Sequence, residues 1–246
     1  MTAATLPRMG TGLWFVTPAW QRYGIVEICL EQRRRVIEEL AAHGIEAHQV
    51  VIADDENLDI ARAAGAEIVV RDNEMVGRKF NDGMEYAGKH GAEWIVPIGS
   101  DSWIATDYFL PLVKPRLTLT SPAYAVVTPT TLAQLTVAPL RLAHSAGPYV
   151  FHRSLLEPCD FRPSAEDSNM VDTSTIAGIE RHTPIRWQVR TLHPFQYVGF
   201  RIPPMMTTYH SLWRRWGVAE LNPPWPTLRR YYPRDLVERA RALMTR

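Results

Sequence analysis

Several short stretches of this chain carry side chains that can do chemistry. Ala53-Asp54-Asp55-Glu56-Asn57-Leu58-Asp59 gathers acids directly after an apolar run. Carboxylates so placed either cap the helix that follows or accept hydrogen bonds from a nucleobase N–H and ribose hydroxyls. Gly77-Arg78-Lys79-Phe80-Asn81-Asp82-Gly83 sets two cations beside small residues at a helix opening. Backbone N–H groups already favour anions there, so the pair suits a diphosphate, although adjacent Arg and Lys also serve as a plain solvated face. Ile98-Gly99-Ser100-Asp101 ends an apolar run in one acid flanked by small residues. Such a carboxylate can hold a divalent cation together with phosphate oxygens, or cap a helix beginning near Thr106. Farther on, Ser164-Ala165-Glu166-Asp167 puts two acids at another helix opening, where they complement the helix dipole at the least.

These groups need elements to aim them, and the hydrophobic pattern supplies the elements. Leu13 to Thr17 reads as a buried strand stopped by Pro18, and Ile25 to His43 has helical spacing closed by Gly44. The alternation continues with strands at Ala47–Ile52, Glu67–Val70 and Glu93–Ile98. Helices at Asn57–Ala64 and Lys79–His90 are closed by Gly65 and Gly91. Strands alternating with helices predict a parallel sheet that binds its ligand at the carboxyl ends of the strands, where the acidic and basic stretches fall. After Asp101 the prolines 111, 115, 122, 129 and 139 break the rhythm. A mixed portion follows, with strands near Tyr124–Val127, Tyr149–Phe151, Arg186–Leu192 and Phe195–Arg201. Its helices are expected at Glu166–Ile179 and Pro233–Met244. The division expected is residues 1–104, 105–204 and a 205–246 tail, as lobes of one unit.

In order and spacing, Leu13 to Ile104 resembles the nucleotide-binding half of family 2 glycosyltransferases and related glycosyltransferase-A enzymes. Asp54, Asp55 and Asp59 match that family's acidic loop, Asn81 and Gly83 its basic helix start, and Asp101 the second acid of its Asp-x-Asp. The resemblance implies an α/β fold: a mostly parallel Rossmann-like sheet of glycosyltransferase-A type, with a smaller mixed α/β acceptor-side portion. It implies a nucleotide-sugar donor, a divalent metal (Mn²⁺ or Mg²⁺) and inverting transfer to an acceptor hydroxyl. Asp54 or Asp55 would contact the base and Arg78 or Lys79 the diphosphate, with Thr17 and Asn81 also among the donor-binding residues. Asp101 would hold the metal. By the same resemblance, the Glu-Asp pair after Gly147-Pro148-Tyr149-Val150-Phe151 contains the catalytic base, Asp167, with Glu166 and Asp172 in reserve. Two departures stand out: Gly99 replaces the first acid of the Asp-x-Asp, and Glu56-Asn57 replaces Gly-Ser. His193 is the candidate for the missing metal ligand, a His before Pro also being a common structural residue.

Composition narrows the alternatives. A net charge of +1 gives no global case for nucleic acid or an anionic membrane. Nine arginines against three acids from Arg201 onward, interleaved with Trp and Tyr, fit either aromatics packed on the sheet domain or an acceptor surface. A protein or glycan acceptor is preferred, with a nucleic-acid or lipid-linked acceptor as the alternative. No apolar run reaches the roughly 18 residues of a transmembrane helix, and the expected location is cytoplasmic. Cys29 and Cys159 are expected as buried free thiols. A sugar-nucleotidyltransferase would carry a Gly-rich, Arg-containing loop after its first strand, and a dinucleotide oxidoreductase a G-x-G-x-x-G; Thr17-Pro18-Ala19-Trp20-Gln21-Arg22 is neither. A non-catalytic protein of the same fold is the remaining alternative.

Overall fold

The computed structural model describes residues 12–110, 124–127, 149–167, 171–189, 196–200 and 225–244. The first strand, β1 (Leu13–Pro18), is buried at every position, as its unbroken apolar run requires. It is followed by α1 (Tyr23–Ala42), β2 (Ala47–Ala53), α2 (Asn57–Ala63), β3 (Glu67–Val70), α3 (Val76–Lys89) and β4 (Trp94–Pro97). Gly44, Gly65 and Gly91 close the three helices at positive φ, as expected. Their turns are sealed by Ile45 N–H to the Leu40 carbonyl, Ala66 N–H to Ala61 and Ala92 N–H to Ala87.

All strand pairs in this half are parallel: β1 lies between β2 and β4, and β3 is beyond β2. The chain thus winds outward from β1 to β3 and then crosses back to place β4 on the other side of β1. That reversal makes β1/β4 the switch point of the sheet, where a crevice opens at the strand ends.

The sheet continues through β7 (Tyr149–His152), antiparallel to β4, then β6 (Tyr124–Val127) and β8 (Arg186–Val189), in the order β3-β2-β1-β4-β7-β6-β8. A separate antiparallel pair joins β5 (Ser102–Ile104) to β9 (Tyr197–Gly199). The remaining described helices are α4 (Arg153–Leu156), α5 (Val171–Glu180), α6 (Trp225–Leu228) and α7 (Arg234–Met244). The mostly parallel α/β sheet with a mixed second portion is as the sequence predicted. The helix expected from Glu166 begins instead at Val171, which leaves Ser164–Asp167 in loop and turn. Among the described residues no helix is long and apolar enough to cross a membrane.

Alternation along the strands divides the core. Leu13, Phe15, Trp94 and Val96 pack with Val36 and Leu40 of α1 on one face. On the other face Trp14, Val16, Ile52 and Ile95 pack with Met84 and Ala87 of α3 and Ile176 and Ile179 of α5. A third cluster joins Ile25, Ile28 and Cys29 of α1, Trp103, Val198 and Phe200 of the small sheet, and Leu228, Tyr232, Leu236 and Val237 from the C-terminal helices. The described part of the tail therefore packs its aromatics on the sheet domain. Cys29 and Cys159 are both free, but Cys159 is half-buried where burial was expected.

Candidate functional site

The site is built around the loop Ala19–Arg22 that follows β1. Gln21 and Arg22 both lie in the left-handed region, with φ of 49° and 52°. A non-glycine residue held there costs on the order of 1–3 kcal/mol, so the surroundings must enforce it. Asp55 does much of this: its Oδ2 accepts the Gln21 N–H at 3.0 Å, and its Oδ1 accepts the Asn57 N–H at 3.0 Å and Nδ2 at 2.8 Å. The Asn57 amide also donates to the Gln21 carbonyl at 3.3 Å, and Lys79 Nζ donates to the Ala19 carbonyl at 2.9 Å. The Arg22 carbonyl then accepts Ile25 and Val26 N–H to start α1. Partial burial pushes the Asp55 carboxyl up, but the N–H groups of Gln21 and Asn57 and the Lys79 charge outweigh it and hold it below the usual value. Lys79 is 1% exposed, and burial lowers its pKa against the pull of Asp54, Asp55 and Asp72.

The loop after β4 meets this one at the switch point. Arg22 Nη1 donates to Asp101 Oδ2 at 2.9 Å, and Ser102 Oγ donates to Oδ1 at 3.3 Å. The Asp101 carbonyl accepts the Phe200 N–H, which ties the loop to β9. Beneath lies Arg33, fully buried, donating to Thr17 Oγ1 at 2.7 Å, to the Ser102 carbonyl at 3.2 Å and to the Gly99 carbonyl. Desolvation lowers the Arg33 pKa, opposed in part by the Asp101 charge. Burial likewise pushes the Cys29 thiol up, which makes it inert. Thr17, expected at the donor, is fully buried and its hydroxyl serves Arg33. A Cβ at Gly99 would stand 2.8 Å from Asp101 Oδ1 and 3.4 Å from Ser102 Oγ, so this backbone has no room for an acid there unless Asp101 moves.

Farther along the chain, the loop that carries Glu166 and Asp167 is gripped by α3. Asn81 Nδ2 donates to the Ser164 carbonyl at 2.8 Å and its Oδ1 accepts the Ser164 N–H at 2.9 Å. Both polar atoms of this 1%-exposed side chain are thereby used in positioning the loop. Arg162 donates to Asp82 at 2.9 Å and to Glu85 and Glu166 at 2.7 Å each. The Arg162 hydrogen bond holds the Glu166 carboxyl below its ordinary value, assisted by Arg78. A carboxylate so paired is a weak proton acceptor. Asp167 beside it is exposed. Arg78 and Lys79 do not form one clamp: Arg78 pairs with Glu74 at 3.3 Å and Glu166 at 3.6 Å, while Lys79 turns into the protein toward Ala19.

No family model and no curated protein matches the sequence. Solved structures do match. Glucosyl-3-phosphoglycerate synthase from Mycobacterium tuberculosis, in complex with Mn²⁺, uridine diphosphate and phosphoglyceric acid, has a TM-score of 0.55 at 17% identity, over 86% of this chain and 80% of that one. The same enzyme with Mn²⁺ and UDP-glucose also gives 0.55 at 17%, over 86% and 81%. Residues 1–349 of TarS from S. aureus give 0.58 at 13%, over 76% and 60%. The chain has the glycosyltransferase-A fold.

In this glycosyltransferase-A sheet the loops after β1, β2 and β4 carry Arg22, Asp55 and Asp101, joined through the Gln21–Asp55 and Arg22–Asp101 contacts, and Asp54 is exposed. His193 lies outside the described residues, and among the described residues no group of three or more His, Cys, Asp or Glu could hold a metal. Arg22, Arg33 and Asn57 were not singled out from the sequence. For Arg33 a signal existed, since it shares the face of Cys29, Val36 and Leu40 at helical spacing. Arg22 offered none beyond its place after Pro18. Trp20, 45% exposed in the middle of the same loop, is one of the few large apolar side chains open to solvent among the described residues.

Proposed function

We propose that the protein is a glycosyltransferase that binds a nucleotide-sugar at the ends of β1, β2 and β4 and transfers the sugar to an acceptor hydroxyl with inversion. The observation that carries this reading is the meeting of Asp55, Arg22 and Asp101 at the β1/β4 switch point. There Asp54 and Asp55 suit the hydrogen-bond donors of a base and ribose. Arg78, in the first turn of α3, is the cation assigned to the diphosphate, with Lys79 supporting from below through Ala19. Mn²⁺ and Mg²⁺ accept one or two carboxylates together with phosphate oxygens and water, and Asp101 supplies one carboxylate. His193 is the second protein ligand in this reading. When bound, such a cation neutralises the charge that develops on the departing diphosphate.

Asp167 takes the proton of the acceptor hydroxyl as its oxygen attacks the anomeric carbon, and the bond from that carbon to the diphosphate breaks on the opposite face. Glu166, paired with Arg162, fixes the loop rather than the proton. A protein or glycan hydroxyl is the acceptor we favour. The experiment is a panel of nucleotide-sugars scored for thermal stabilisation with Mn²⁺ and for slow donor hydrolysis. A ligand at about 100 times its Kd adds roughly 2.7 kcal/mol. Stabilisation without hydrolysis or transfer would favour a non-catalytic binder, and no response from any donor would overturn the proposal.

A further inference from the structure

We infer that Arg22 is a donor-binding residue whose guanidinium exchanges Asp101 for the donor's diphosphate, and that it thereby sets the affinity of Asp101 for a divalent cation. The inference rests on the nucleotide-sugar reading above and concerns a residue to which that reading assigns no ligand. Arg22 reaches Asp101 Oδ2 at 2.9 Å, with side chains 26% and 13% exposed, so the contact faces the crevice rather than the core. A guanidinium and a divalent cation on one carboxylate repel one another, most strongly at a shared oxygen. A cation taken by Asp101 at Oδ2 therefore displaces Arg22.

Its neighbours make departure the easy step. The backbone of Arg22 is pinned by its place at the start of α1 and by the grip of Asp55 and Lys79 on the loop. Among the described residues only the contact to Asp101 holds the guanidinium, so the side chain can move while the strained backbone stays in place. A return to the interior is closed, since Arg33 already fills the carbonyls of Gly99 and Ser102 beneath and leaves a second positive charge there. Released beside a crevice that holds a diphosphate, a guanidinium finds paired oxygens suited to its planar fork. Gly99 adds to the case. With glycine rather than an acid at that position, the charges of Arg22 and Arg33 both act on Asp101, so the locality favours an anion more than an isolated cation.

Two binding events follow as a coupled pair. A cation alone must displace Arg22 and leave that charge unmatched, so it binds weakly. A diphosphate alone must compete with Asp101 for Arg22. Together each removes the other's competitor, which is positive coupling of the kind that reaches 5- to 150-fold, order of magnitude.

The test uses the full chain with Mn²⁺ alone, followed by electron paramagnetic resonance of the free ion, and inorganic pyrophosphate alone, followed by calorimetry. Arg22→Met is expected to bind Mn²⁺ about tenfold more tightly and pyrophosphate about tenfold more weakly than wild type, with the coupling between them lost. Asp101→Asn frees Arg22, so it is expected to lose Mn²⁺ binding while binding pyrophosphate more tightly without metal. It serves the same purpose if Arg22→Met does not fold. Unchanged Mn²⁺ affinity in a folded Arg22→Met protein, or pyrophosphate binding that is not strengthened by Asp101→Asn, would overturn the inference. The donor panel separates this from failure of the parent reading: nucleotide-sugars can bind and hydrolyse normally while both variants leave Mn²⁺ and pyrophosphate affinities untouched.

Discussion

At the scale of single residues, the division of labour between adjacent acids makes the sharpest predictions. Glu166 is committed to Arg162, whereas Asp167 beside it is exposed. Asp167→Asn is expected to lower transfer by about 10² to 10⁴ while donor affinity, read by calorimetry, stays as in wild type. Retention at the anomeric carbon in the product would remove a single-displacement base from the mechanism. Asp55 predicts a pH dependence. In the unfolded chain it titrates near the ordinary aspartate value of about 3.9, and in the folded protein below it. The stability it contributes is complete above the unfolded value and is lost as pH falls through the folded one. Urea midpoints of wild type and Asp55→Asn should therefore differ at about pH 6 and converge toward pH 3; a gap of equal size at both would remove the ionised carboxylate from the support of the loop. Asp54, Asp55 and Asp101 stood out in the sequence because acids after apolar runs are conspicuous, and Asp167 through the resemblance of its Glu-Asp pair to a family motif. Arg22 did not stand out, because basic residues face solvent by default and only a fold shows which ones a loop has enclosed; for Arg33 the helical spacing alone marked its face.

At the scale of elements, the placement of α3 and α5 decides how well the acceptor-side loop is held. Asn81 joins α3 to Ser164 through two hydrogen bonds inside the protein. Asn81→Ala leaves the buried Ser164 N–H and carbonyl without those partners, at a cost of about 1–3 kcal/mol per group. Transfer should fall with little change in donor Kd, since this is the loop proposed to carry the base rather than the donor contacts. Donor binding reduced as much as turnover would instead return Asn81 to the donor site, where the sequence pattern had put it. From the other side, Gly178 of α5 lies so close that a Cβ would come within 1.8 Å of the Pro163 carbonyl oxygen. Gly178→Ala must separate α5 from this loop, and a loss of at least about 2 kcal/mol in chemical denaturation is expected. The strands and helices of the first hundred residues were legible from apolar runs and their glycine stops. The start of α5 was not, because Glu166 and Asp167 resemble the first turn of a helix yet are held in a loop by Arg162 and Asn81. The parallel pairing of β6 with β8 was equally hidden, since no local period reports which distant strands become neighbours.

At the scale of the whole molecule, the last described helix, α7, docks on α1. Asp235 of α7 receives the Arg35 guanidinium at 2.9 and 2.6 Å, and Arg239 donates to Glu27 at 2.8 Å. Exposed pairs of this kind contribute little each, so the apolar contact of Leu236, Val237 and Ala240 with Ile25 and Ile28 carries the docking. Trp103 belongs to the same cluster, two residues after Asp101, so the support of the site from behind reaches to the last described helix. This arrangement has a consequence for biosynthesis. Arg35 and Asp235 are separated by 200 residues. At translation rates of about 5–20 residues per second, a nascent chain waits roughly 10–40 s between making α1 and making the helix that covers it. Throughout that interval Ile25 and Ile28 lack the cover of α7, as does Trp103 once it is made, and a ribosome-bound chain stalled before residue 225 should be cleaved within α1 by a protease that leaves the finished protein whole. The N-terminal half is made first, but it is sealed last.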